Sequence, residues 1–208
     1  MTAIIDYGVG NLFSLNSSFG AIGEKVFVSS NSDEILNAER IVLPGVGAFG
    51  DAADKLKKTG LYETVLRAAK FGTPILGVCL GMQLLFDKSY EYGEHEGLGL
   101  VSGIVRPISD FIPKDLKIPH IGWNKLRIIK KHPLLKYVAD NDYAYFVHSY
   151  CAVNCAESII ADTEYGADIT AVVANANVMG CQFHPEKSGD VGLKILKAFC
   201  ELKKGDLC

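Results

Sequence analysis

Thr73-Pro74-Ile75-Leu76-Gly77-Val78-Cys79-Leu80-Gly81-Met82-Gln83-Leu84-Leu85-Phe86 is the stretch on which the reading of this chain turns. Residues 73–78 have the marks of a short buried strand: apolar, β-branched at Ile75 and Val78, and entered through a proline. The residues after Cys79 read as the first turns of a helix. A sharp, strained turn at such a junction aims a side chain away from both elements, the geometry of a nucleophile elbow. Glycines at 77 and 81 let neighbouring backbone come close. The helix N-terminus supplies free N–H groups and the positive end of a dipole, which favour thiolate over thiol. A buried packing cysteine fits this stretch equally well when it is taken alone, so the rest of the chain has to decide.

Towards the N-terminus, strands and helices alternate. Ala3–Asp6 is a strand, Tyr7-Gly8-Val9-Gly10-Asn11 a tight turn, and Leu12–Ile22 a helix with Leu12, Leu15, Phe19 and Ile22 at helical spacing. The turn lacks the third glycine of a dinucleotide fingerprint and the Gly-Lys-Ser/Thr of a phosphate loop. Lys25–Val28 is a second strand, Ser32–Asn37 a short helix and Arg40–Leu43 a third strand, with helical patterns from Asp51 to Phe71. This alternation is the signature of a parallel, doubly wound sheet, whose chemistry sits beyond the carboxyl ends of the strands. Pro44-Gly45-Val46-Gly47 and Cys79 both fall at such ends. The loop is flexible backbone suited to presenting N–H groups to an oxyanion, and the Leu80 N–H would be a second donor. Each such donor is worth roughly 2.7–4 kcal/mol in the transition state.

Beyond residue 90 the pattern changes. Tyr90–Val101 is rich in glycine and charge and reads as a surface loop. Ile104–Ile108, Leu126–Ile129, Tyr143–Tyr150, Ser158–Ala161, Thr170–Ala174 and Val178–Phe183 read as strands, some of them antiparallel. Ala174–Asn177 suits a hairpin turn and Gly192–Leu202 a closing helix. The expected fold is one α/β domain over residues 1–208, a mostly parallel twisted sheet flanked by helices, with antiparallel strands in the C-terminal half.

His184-Pro185-Glu186 supplies a base. Residues i and i+2 of an extended segment face one side, about 6.5–7 Å apart at Cα, so Glu186 can reach the His184 ring. A carboxylate on one imidazole nitrogen leaves the other free to take a proton from a thiol. Of the five histidines, only His184 has an acid two residues on. Cys79, His184 and Glu186 thus make a nucleophile, a base and an orienting carboxylate.

With 208 residues, 49% hydrophobic and 22% charged, the chain can bury a full core. A net charge of −3 argues against nucleic acid or an anionic membrane as partner. The N-terminus enters a strand directly, with no basic leader, which points to the cytoplasm. The six cysteines show no disulfide framework, and reduced thiols are expected. His148, Cys151 and Cys155 superficially resemble metal ligands, but no second pair completes a tetrahedral site, so no metal and no cofactor are expected.

Pro44-Gly45-Val46-Gly47, Gly77–Gln83 and His184-Pro185-Glu186, in that order, resemble the class I (triad) glutamine amidotransferases. Asp6–Asn11, Pro119–Asn124, Tyr145–Tyr150 and Lys187-Ser188 narrow the likeness to members working beside a (β/α)8-barrel synthase, over residue 2 to about residue 200. The resemblance implies that Cys79 attacks the side-chain amide of L-glutamine while backbone at Val46, Gly47 and Leu80 holds the oxyanion. It implies that Gly45, Gln83, Ser149 and Tyr150 hold the glutamine. It also implies that Trp123 and Lys187 meet the barrel cyclase in a heterodimer, to which ammonia passes for imidazole glycerol phosphate synthesis in histidine biosynthesis. Three alternatives stand beside it: the same chemistry serving a surface-sugar amidotransferase, another Cys-His hydrolase such as a γ-glutamyl hydrolase or small peptidase, and a non-catalytic interaction paralogue.

Overall fold

A computed structural model describes residues 1–205; Cys208 lies outside the described residues. The first half alternates as the patterning predicts: β1 (Thr2–Ile5), α1 (Leu12–Ala21), β2 (Val26–Ser29), α2 (Ser32–Leu36), β3 (Arg40–Leu43), α3 (Phe49–Lys58), α4 (Leu61–Lys70) and β4 (Ile75–Val78). Asn11 and Asn31 cap α1 and α2 by accepting hydrogen bonds from backbone N–H groups of the first turn. The helical stretch after Asp51 is two helices, because Gly60 takes a left-handed φ of 74° between them.

The second half comprises α5 (Leu80–Gln83), β5 (Phe86–Ser89), β6 (His95–Glu96), β7 (Val101–Pro107), β8 (His120–Lys125), β9 (Arg127–Ile128), β10 (Tyr143–His148), β11 (Tyr150–Val153), β12 (Ile159–Glu164), β13 (Asp168–Asn175), β14 (Val178–Cys181) and α6 (Gly189–Cys200). The main sheet has eight strands in the order β2-β1-β3-β4-β14-β13-β12-β9. Its first five are parallel and its last three antiparallel, the mostly parallel sheet with antiparallel C-terminal strands expected from the sequence. β8 and β10 form a separate ribbon, and β11, β7, β5 and β6 a small third sheet.

The strands divide their side chains by parity. Ala3, Ile5, Ile41, Leu43 and Ile75 pack with Phe49, Leu56, Leu61 and Val65 of α3 and α4 on one face. Ile4, Val42, Leu76 and Val78 pack with Leu15, Phe19, Ile195 and Phe199 of α1 and α6 on the other. That two-sided burial explains why these strands are continuously apolar. Among the described residues, no helix is long and apolar enough to cross a membrane.

Several expectations are corrected. The helix after Cys79 ends at Gln83, and Phe86 opens a strand. The loop at 90–101 contains β6 and the start of β7. Tyr143–Tyr150 is not one strand; it divides at Ser149 into β10 and β11, which join different sheets. β8 was not anticipated, because its outward positions carry the apolar Ile121 and Trp123 and its inward ones His120, Gly122 and Asn124, the reverse of the usual pattern. The Ala174–Asn177 turn does join an antiparallel pair, with Ala176 at φ 47°.

The main sheet's order assembles the site. β3, β4 and β14 are neighbours, with Leu43 opposite Gly77 and Cys181 opposite Val78. Their carboxyl ends therefore deliver Pro44–Gly47, Cys79 and His184 to one place, although these residues are far apart in sequence.

Candidate active site

Cys79 stands at φ 54° and ψ −112°, a conformation that costs a non-glycine residue energy and is held only by its surroundings. Two main-chain bonds hold it: its N–H donates to Cys181 O at 2.8 Å, and its carbonyl accepts from Gln83 N at 3.1 Å. The turn points Sγ into a cavity of about 570 Å³.

His184 follows β14 and is buried. Its Nδ1 lies 2.8 Å from Glu186 Oε1, and the Glu186 side chain is only 1% exposed. Burial alone would pull His184 down, but hydrogen bonds to Cys79 and Glu186, and their negative charges, outweigh it and raise the imidazole to about 9. Nδ1 belongs to the carboxylate, which leaves Nε2 for the sulfur.

The loop after β3 is tied at both ends. Tyr7 donates its hydroxyl to Pro44 O at 2.7 Å, and burial raises the Tyr7 phenol so that it stays a donor. Phe49 N–H donates to Glu91 Oε2 at 2.6 Å. Between these ties Val46 and Gly47 are exposed on the cavity wall. Leu80 is the first residue of α5, so its N–H lacks a partner within the helix and is available to a ligand.

Of the predicted glutamine-holding residues, Gln83, Ser149 and Tyr150 line the cavity. Gly45 does not; it packs against the elbow, where an added Cβ would stand 2.6 Å from Gly81 N. Lys187 is exposed at the cavity rim. Trp123 lies outside the cavity on β8, 52% exposed, with its ring 5.9 Å from that of Tyr145. The backbone of Tyr145 in turn accepts from His184 N at 3.1 Å and donates to Ser188 Oγ at 2.9 Å.

Three polar groups escaped the sequence reading. Glu91, from the supposed loop, is the carboxylate on the cavity wall among the described residues; burial raises it, against the Phe49 N–H. Gln182, fully buried, contacts Cys79 Sγ; it sits two residues before His184, and the i, i+2 rule that found Glu186 applies equally in that direction. The third is a histidine pair. His148 Nδ1 lies 2.8 Å from Tyr150 O, which can only accept, so Nδ1 carries the proton. His148 Nε2 then accepts from His120 Nδ1 at 3.0 Å.

Burial pulls His148 down from 6.5 to about 4, with the nearby His120 and His184 charges adding to it against the Tyr150 hydrogen bond. Burial lowers His120 as well. From pH 6.5 down to about 4 the unfolded chain therefore binds protons that the fold refuses, and stability falls as pH falls across that window. His148→Gln is expected to flatten this slope, read as urea midpoints compared at the two ends of the window.

Among the described residues no cluster of three or more His, Cys, Asp or Glu side chains could hold a metal. Cys79, Cys151, Cys155, Cys181 and Cys200 are free thiols.

Known proteins resemble this chain in sequence and in fold. The chain is similar to the imidazole glycerol phosphate synthase subunit HisH of Lactococcus lactis subsp. lactis, at 50% identity over 95% of this chain and 96% of that protein. It is 51% identical to the subunit of the same name from Caldanaerobacter subterraneus subsp. tengcongensis, over 98% of this chain and 99% of the other. In fold it is similar to a chain of the PurLQS structure from Thermotoga maritima, with a TM-score of 0.76 at 19% identity over 96% of each chain. Residues 3–202 match the family model described as glutamine amidotransferase class-I, and the chain belongs to that family.

Proposed function

We propose that this chain is the glutaminase subunit of an imidazole glycerol phosphate synthase, hydrolysing L-glutamine to glutamate and ammonia through Cys79, His184 and Glu186. The observation that carries the reading is the convergence of these three side chains at neighbouring strand ends, His184 Nδ1 hydrogen-bonded to Glu186 and its ring sharing the cavity wall with Cys79. The Cys79 thiolate attacks the amide carbon, and the oxyanion is met by the Leu80 N–H and backbone at Val46 or Gly47. His184 gives its proton to the leaving ammonia. It then takes one from a water, which attacks the thioester and frees glutamate and the sulfur. Glu186 keeps the ring oriented throughout.

Gln83, Ser149 and Tyr150 hold the amino-acid end of the substrate, and Glu91 supplies the negative charge that its α-ammonium needs. Glu91→Gln keeps an oxygen for the Phe49 N–H but loses that charge. It is expected to raise the KM for glutamine about 10- to 100-fold while changing kcat much less, checked by steady-state glutamate release.

Ammonia passes to a (β/α)8-barrel cyclase subunit docked at Trp123 and Lys187, in the cytoplasm, where free thiols persist. The exposure of Ile121 and Trp123 on one face of β8 supports that docking surface. The test measures glutamate release by the chain alone, and then with the barrel subunit and its ribulosyl substrate, with Cys79→Ala as the blank. Strong stimulation that vanishes in the blank is expected. Stimulation only by a surface-sugar synthase would move the acceptor and keep the chemistry; full activity in the isolated chain would remove the dependence on a partner.

A further inference from the structure

The amide of Gln182 has a single consistent orientation. Gln83 Nε2 lies 3.2 Å from Tyr150 O and 2.9 Å from the Gln182 side-chain oxygen. A backbone carbonyl only accepts, so the Gln83 atom facing it must be the amino group. The Gln182 atom facing that amino group must then be the oxygen, and the Gln182 atom 3.7 Å from Cys79 Sγ must be its NH2. Gln182 is fully buried, so water does not compete for this donor. Its main chain is fixed as well, donating to Ala171 O at 2.8 Å.

We propose that Gln182 is a further positioning residue of the glutaminase, an N–H donor that, with His184, holds the Cys79 sulfur as a thiolate. A donor facing the sulfur matches the lone pairs of a thiolate and has nothing to accept from a thiol S–H. With His184 as the other partner, the sulfur meets two N–H donors. Gln83 orients the donor. The substrate-holding residue and the nucleophile are therefore joined through one buried amide. The assignment rests on Cys79 being the nucleophile.

The experiment follows alkylation of Cys79 by iodoacetamide against pH, by mass spectrometry of the Cys79 peptide, in wild type, Gln182→Glu and Gln182→Met. Glu keeps the oxygen that Gln83 bonds and removes the amide donor; Met removes both. In variants with a native circular dichroism spectrum, alkylation at neutral pH is expected to slow about tenfold and its profile to move to higher pH. Glutaminase kcat should fall with KM within about threefold for Gln182→Glu. A Gln182→Met profile superimposable on wild type would overturn the proposal, as a packing role leaves it unchanged and methionine adds no charge beside the sulfur. The wild-type chain gives a check that needs no variant: alkylating Cys79 should shift the Gln182 side-chain amide resonances in a nitrogen–proton spectrum, and no shift would overturn it. If a chloroketone analogue of glutamine fails to label wild-type Cys79, the triad reading falls and the proposal with it. Labelling with unchanged profiles removes Gln182 alone.

Discussion

Cys79→Ala is expected to lower glutamate release by about four to six orders of magnitude while leaving the fold and glutamine binding intact. The sulfur is the atom that becomes covalently joined to the substrate, and the cavity offers no substitute bonded to His184. Loss of any member of such a unit leaves only what the oxyanion donors and binding groups provide. Alanine inherits the same φ of 54° and the same main-chain bonds to Cys181 and Gln83, so the elbow should form without the thiol. The check is paired: glutamate release with the barrel subunit present, and glutamine affinity by calorimetry. Release within tenfold of wild type would sink the assignment of the nucleophile.

Gly81→Ala is expected to damage the enzyme from a position that carries no side chain at all. A Cβ there would stand 1.9 Å from Leu43 O and 2.8 Å from Leu43 C, both main-chain atoms that cannot turn aside. The elbow and the end of β3 must separate, costing about 1–3 kcal/mol or more in stability. Because the loop after β3 carries the oxyanion backbone, the same separation should reduce kcat by at least about 100-fold. Gly20→Ala is the control. It lies on α1 with nothing within 4 Å of the added carbon, and alanine there should be neutral or stabilising by up to about 1 kcal/mol. Equal melting temperatures for Gly81→Ala and Gly20→Ala would contradict the contact.

What could be read in the sequence was what local spacing encodes. Strands buried on both faces declare themselves by continuous apolar runs, so β1, β3 and β4 are legible, β3 with both its ends and the other two with ends one or two residues off. Glu186 was found because it reaches His184 across two residues. What was missed depends on contacts between distant segments. Glu91 matters because it meets Phe49, and His120 because it meets His148; neither pairing leaves a periodic trace. The run Met82–Phe86 is apolar apart from Gln83, so nothing in it announces that the helix stops and a strand begins. Ser149 ends one sheet and precedes another, a change of direction set by packing partners rather than by the residue itself.

The place of β14 in the sheet bears on how the chain is made. β2, β1, β3 and β4 are all synthesised early and can pair among themselves. β14 pairs with β4 on one side and β13 on the other, yet among the described residues it is the last strand to leave the ribosome. Until it arrives, Ile75–Val78 is an unpaired apolar edge, the kind of surface that recruits strands from other chains. The segment that carries the base is therefore also the one that closes the sheet. A nascent chain without it would have its nucleophile and neither a working site nor a protected edge.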